Sequence, residues 1–217
     1  MAVVHEEFGP TLPELVAPRL GLRTRTAWRA LAGVLAVALA VTAWLVLRPD
    51  PNRTDVLVRE PVTFNLQYTR VVHRAPPRPG EVLRLQTRSG PPQSVSVRPL
   101  HLGTYRGDVS ATMTLMAARL IDEMAATYPG FVHRGDGRVS LSKQPGYQIL
   151  FQARIGGRTT YGKRVLLVGA ADPPPREGLD LTFLAERSPA VPNVDAVATN
   201  GALEIPYRTL RFGTDRA

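Results

Sequence analysis

The longest apolar stretch of the chain, residues 30–47, carries no charge, and Gly33 and Thr42 are its only non-hydrophobic members. Its 18 residues lie at the lower edge of the roughly 17–25 needed to cross a ~30 Å hydrocarbon layer as a helix. Trp28 and Trp44 stand near its ends, with Arg29 and Arg48 just outside, where indoles favour the headgroup level and arginines can snorkel. A helix that packs on a soluble core normally keeps a polar face, and this one has none. The rival reading is a cleaved signal peptide, with Arg23, Arg25 and Arg29 as its basic region and Ala38-Leu39-Ala40 as its cleavage site. Against it, the apolar run continues past Ala40, and a 29-residue lead is long for such a basic region.

Beyond residue 61 the pattern changes. Val62, Phe64, Leu66 and Tyr68 alternate with polar residues, which predicts a half-buried strand ended by Pro76-Pro77 and Pro79-Gly80. Residues 82–87 and 94–97 continue as strands. Met113, Met116, Ala117, Leu120, Ile121 and Met124 then recur at helical spacing, with Asp108 and Ser110 as candidate N-caps and Tyr128-Pro129-Gly130 as the stop. Three strands follow, around residues 138–141, 147–155 and 159–168, the last two joined by Gly156-Gly157 in a hairpin. Residues 178–185 read as another strand, and residues 194–212 as broken helix interrupted by Gly201 and Pro206.

The predicted architecture is α+β, one transmembrane helix followed by an antiparallel sheet with helices packed on one face. Residues 1–29 are an N-terminal tail, 30–47 the span, 48–61 a proline-punctuated juxtamembrane linker, 62–213 the α+β domain and 214–217 a C-terminal tail. In the first tail, Thr11-Leu12-Pro13-Glu14 has the form of a capping box for a short helix. Four arginines precede the span (Arg19, Arg23, Arg25, Arg29) and three follow closely (Arg48, Arg53, Arg59), the latter among acids. This asymmetry predicts a signal anchor in the cell membrane, N-terminus cytoplasmic and domain extracytoplasmic, in a bacterial envelope. Ala32, Ala36 and Ala40 form a small-xxx-small ladder through which two copies could dimerise.

Composition adds little to this. Cysteine is absent, which removes disulfides, thiolate metal sites and a lipid-modified cysteine. The net charge is +9, but all of the 27 basic residues except Lys143 and Lys163 are arginine, a bias that G+C-rich coding produces without selection on function.

The order of elements resembles the PsbP-like fold, the family of the extrinsic photosystem II protein and of bacterial envelope domains. The resemblance rests on the opening strand pair, the helix through Met113 and Met124, Gly146-Tyr147-Gln148-Ile149-Leu150-Phe151 leading into the hairpin, and the terminal Tyr207-Arg208-Thr209-Leu210-Arg211-Phe212. It implies a non-enzymatic binding, assembly or adaptor role and carries over no site residue.

A search for chemistry supports the same expectation. Gly157-Arg158-Thr159-Thr160-Tyr161-Gly162-Lys163 approaches a phosphate-binding loop, but Arg164 stands where Ser or Thr would hold Mg²⁺, and a strand follows where a helix N-terminus is required. The four histidines lack ligand spacing, Asp122 and Glu123 diverge on one helix, and no nucleophile elbow is present. No catalytic residue, cofactor or metal is therefore expected. Arg134, Arg138, Arg154, Arg158, Lys163 and Arg164 could together form a basic surface for anionic lipid headgroups or another polyanion, with a solvated sheet face as the alternative. Nucleic acid is not expected, because no aromatic RNA-binding signature accompanies these residues. A partner protein is the expected ligand of a binding or assembly module; an enzyme with an unrecognised site remains the third reading.

Overall fold

The computed structural model describes residues 24–47, 52–103, 109–169 and 176–213. They fall into two compact units divided between Asp50 and Pro51. The tail motif at Thr11 to Glu14, Arg48 and the candidate cap Asp108 lie outside the described residues.

The first unit contains helix α1, Thr24–Leu47, so the uncharged run is helical throughout and is preceded by nearly two helical turns. The single hydroxyl in its apolar stretch is satisfied internally, Thr42 Oγ1 donating to the Ala38 carbonyl at 2.8 Å. Side chains of α1 are described from residue 28 to residue 43. Among the described residues no helix is long and apolar enough to cross a membrane; the last four residues of the run 30–47 have side chains outside that set.

The second unit is built on two antiparallel sheets. Strands β1 (Arg53–Val58), β2 (Phe64–Thr69) and β10 (Arg211–Phe212) form the smaller one, in the order β1-β2-β10. The larger has seven strands: β3 (Val72–Arg74), β4 (Leu83–Thr87), β5 (Gln93–His101), β6 (Val132–Leu141), β7 (Gln144–Ile155), β8 (Arg158–Val168) and β9 (Glu177–Glu186). Their spatial order is β3-β4-β5-β9-β8-β7-β6. The hairpin order of β6 to β9 follows the chain, whereas β5 pairs with β9 across nine registered residues, from Gln93↔Ala185 to His101↔Glu177. Gly156 and Gly157 close the β7–β8 hairpin with φ of 58° and 79°, a left-handed pair that suits a two-residue turn and penalises side chains.

The two faces of the large sheet bury different cores. On one face, Leu83, Leu85, Val95, Val97, Leu179, Leu181 and Phe183 pack with Val56, Phe64 and Leu66 of the small sheet and with Leu203 and Leu210. On the other, Ile149, Phe151, Leu166 and Val168 pack under Met113, Ala117 and Met124 of α2 (Val109–Thr127). The short α3 (Glu204–Thr209) packs on β2.

Two expectations change here. Helices do not share one face, because the β1–β2–β10 sheet brings its own apolar side to the face opposite α2 and α3 goes with it. The linker is also shorter than its proline and charge pattern suggests, since residues 53–58 form β1, register Val56 against Leu66 and bury Val56. One inward residue in a strand of charged neighbours is a weak period-two signal.

Candidate functional site

The face of the large sheet that α2 covers is covered only in part. Beneath α2 lie β7 and β8; beyond it, the outward positions of β9, β5 and β4 are polar except for Leu100 and Leu184, which pack on the α2-side core. Their register makes a row that no single strand reveals. Arg84 faces Ser96, Ser96 faces Thr182, and Thr182 faces Arg164, so two hydroxyls lie between two arginines across four strands. In the next row Gln86 faces Ser94 and Ser94 faces Leu184. These residues floor a cleft of about 470 Å³. Its walls are Tyr128 and Pro129 at the end of α2, the hairpin tip at Arg154, Ile155 and Gly156, and Arg78 and Arg98. A second depression shares Gln86, Ser94 and Ile155 with it and adds Arg158 and Glu186.

The arginines of the floor are each paired with a buried acid. Arg164, 14% exposed, grips Asp180 with two bonds, Nε to Oδ1 at 2.9 Å and Nη2 to Oδ2 at 2.6 Å. Arg84 grips Glu81 in the same manner, its Nε donating to Oε2 at 2.8 Å. Glu81, 1% exposed, also accepts the Arg78 amide at 2.9 Å and has Arg98 at 3.9 Å. Burial pushes its carboxyl pKa upward, but the bonds from Arg84 and from the Arg78 amide, with the charges of Arg84 and Arg98, hold it below the ordinary value of 4.5. Burial likewise works against the Arg164 cation, and Asp180 outweighs it, leaving that group more firmly protonated than usual.

The six basic residues expected to converge do so only in part. Arg154 and Arg164 line the cleft. Arg158 lies in the adjoining depression, paired with Glu186 at 3.1 Å. Arg134 and Arg138 sit on β6, the edge strand beyond β7, where Arg134 donates to Gln152 at 2.7 Å. Lys163 does not belong to this surface. It registers with Phe183 on the opposite face, is 4% exposed, and places Nζ 5.2 Å from the Tyr207 ring centroid. The reason is the strand period: neighbours in sequence alternate faces, so Lys163 and Arg164 cannot share one.

No protein-family model matches the chain, and no curated protein matches it either. Several solved structures are similar in outline. LpqN of Mycobacterium tuberculosis, a protein involved in cell envelope biogenesis, has a TM-score of 0.49 at 12% identity, covering 76% of this chain and 94% of its own. Cyanobacterial PsbP from Synechocystis has a TM-score of 0.42 at 9% identity, covering 64% and 82%. A protein of unknown function from Pseudomonas aeruginosa has a TM-score of 0.32 at 14% identity, covering 64% and 85%. At these scores none of them assigns the chain to a family or lends it a function.

Arg78, Arg84 and Arg98 belong to the cleft although the sequence pattern does not single them out. Their strands show the polar-out alternation plainly, Leu83 and Leu85 around Arg84, Val95 and Val97 around Ser96. What hides them is the pairing of β5 with β9, whose registered partners lie 76 to 92 residues apart in the chain. A second arrangement also emerges only in three dimensions. On β6 and β7, Tyr147 donates its hydroxyl to Asp136 Oδ2, and His133 Nε2 lies 3.0 Å from Asp136 Oδ1. That hydrogen bond to Asp136, with burial, raises the Tyr147 pKa. Among the described residues no group of three or more His, Cys, Asp or Glu is placed to hold a metal.

Proposed function

We propose that this chain is a single-pass, membrane-tethered binding or assembly module whose α+β domain stands in the cell envelope, outside the cytoplasm, and performs no chemistry of its own. The observation that carries the tether is the exposure of α1. Val34, Leu35, Val37, Leu39 and Val41 are between 49% and 68% exposed. At about 100° per residue they point to roughly 0°, 100°, 300°, 140° and 340° around the axis, and the exposed Ala36 and Ala40 fill the remaining arc at roughly 200° and 240°, so no side of this stretch is polar. In water such a girdle is an association site, and in lipid it is the expected surface.

The non-catalytic reading is supported by how the cleft uses its charges. Its half-buried cations Arg84 and Arg164 are each committed to a carboxylate, and Arg84 with the Arg78 amide holds Glu81 ionised. A second reading, in which the domain receives anionic headgroups or polymers, draws on the cleft lining, where five arginines face one glutamate.

The test is protease treatment of intact cells that express the chain with a tag at each end, read together with the mature mass. Loss of the C-terminal tag from a full-length chain supports the proposal. Protection of that tag places the domain in the cytoplasm, and a mature chain that begins after Ala40 makes the segment a signal peptide; either result overturns the tether as stated.

A further inference from the structure

We infer that the cleft over β4, β5 and β9 binds a phosphate ester on a hydroxyl-rich carrier, of the kind found in a sugar phosphate or a glycerol phosphate unit. This rests on the domain being a binding module but not on its tether, so the topology experiment and the one below fail independently.

The cleft has the size of a small-molecule site, about 470 Å³ against a usual range of about 300–1,000 Å³. Its charge is unbalanced. Arg84 and Arg164 are neutralised by Glu81 and Asp180, whereas Arg78 and Arg154, both exposed, have no ion pair among the described residues. Arg98 reaches only to 3.9 Å from the carboxylate that Arg84 already holds by two bonds. Three guanidinium groups, from the β3–β4 loop, β5 and β7, therefore border one cleft with their charge largely unmet. Guanidinium forks suit the oxygens of phosphate, and several approaching from separate elements suit a tetrahedral anion better than a planar carboxylate.

The floor says what the anion is attached to. Ser94, Ser96, Thr182 and Gln86 present hydroxyl and carboxamide groups that make no side-chain hydrogen bond to another described residue. They can donate to and accept from hydroxyls. The strands beneath are internal to the sheet, β4 between β3 and β5, and β5 between β4 and β9, so their backbone groups are already paired. An acidic peptide could not add to them as a strand and would lose the main-chain bonds on which such recognition depends. Recognition by side chains alone favours a phosphorylated polyol.

The experiment is calorimetric titration of the full chain in neutral detergent micelles with glucose 6-phosphate and glycerol 3-phosphate, against glucose and glycerol. The phosphorylated probes are expected to bind, more weakly as salt is raised, and their parents at least tenfold more weakly. The double variant R78Q/R154Q should lose about tenfold or more in affinity, the scale of one charge-assisted hydrogen bond, with an unchanged melting temperature because both side chains are exposed. R158Q, in the neighbouring depression, should stay within twofold. The inference is overturned if glucose 6-phosphate binds no more tightly than glucose, if R78Q/R154Q binds like the unaltered chain, or if an oligoglutamate peptide binds more tightly than both phosphates. Doping the micelles with lysophosphatidylglycerol separates two sources of the same chemistry. Competition with glycerol 3-phosphate identifies a lipid headgroup as the natural carrier, and its absence identifies a soluble or polymeric phosphate.

Discussion

At the scale of single residues, Glu81 and Lys163 carry opposite electrostatic burdens. Glu81 is buried but multiply bonded, and its folded pKa lies below 4.5. Its contribution to stability is therefore present above about pH 4.5 and is lost as pH falls through the lower folded value. Glu81→Gln should cost about 1.5–3 kcal/mol at pH 7, because the half-buried Arg84 loses its charged partner. The gap between the two chains in urea unfolding should narrow toward pH 3. Parallel pH profiles would show that Glu81 is not held ionised. Lys163 is the reverse case: burial lowers its pKa, and the charge of Asp195 opposes this only in part. Protonated Lys163 thus destabilises the fold near neutrality, a penalty that eases as pH rises through the folded value. Lys163→Met keeps the packing against Tyr207 and removes the buried charge, so it should raise stability by on the order of 1 kcal/mol while leaving binding in the cleft unchanged. A loss of binding would return Lys163 to the basic surface.

At the scale of elements, the β7–β8 hairpin is organised around Phe151. Its ring lies between Tyr128 and Phe131, with centroids at 5.4 and 5.6 Å, and covers Gly162 on the paired strand. A Cβ on Gly162 would come within 2.1 Å of that ring, which has no room to swing aside. Gly162→Ala should cost about 1–3 kcal/mol in thermal or chemical unfolding. In a Phe151→Ala background, itself about 3–5 kcal/mol less stable, the further cost should largely vanish. Additive penalties would mean that the ring does not impose the glycine. The same contact explains why the apparent phosphate loop is none: its last glycine serves ring packing in mid-strand and its lysine faces the other core.

At the scale of the whole molecule, the two units pose separate physical problems. The second buries its apolar residues in two cores on either side of one sheet. The first leaves its apolar residues outside, and the bilayer is the solvent proposed for them. Leu39→Arg, near the middle of the run, should cost about 2.5–3.5 kcal/mol of insertion and release a substantial fraction of the chain from membranes washed at alkaline pH. The unaltered chain should stay in the pellet until detergent is added. Retention of both to the same degree would argue that α1 is not what holds the protein to the membrane.

Local pattern was enough for the elements whose determinants are local. The apolar run at residues 30–47, the 3.6-residue period from Met113 to Met124, the stop at Tyr128-Pro129-Gly130 and the Gly156-Gly157 turn each specify a structure within a few residues, and helix and hairpin formed where they predict. An antiparallel α+β fold followed from the same signals. Pairing between distant strands is not encoded locally, because a polar-out strand fits beside many others with equal alternation. Only the tertiary structure set β5 beside β9, and so joined Arg84 and Ser96 to Thr182 and Arg164. Only it brought β1 into the domain through one buried valine, placed the small sheet opposite α2, and sent Lys163 and Arg164 to opposite faces. The cleft belongs to that second class, since its residues come from six stretches of chain and its floor is assembled by strand register.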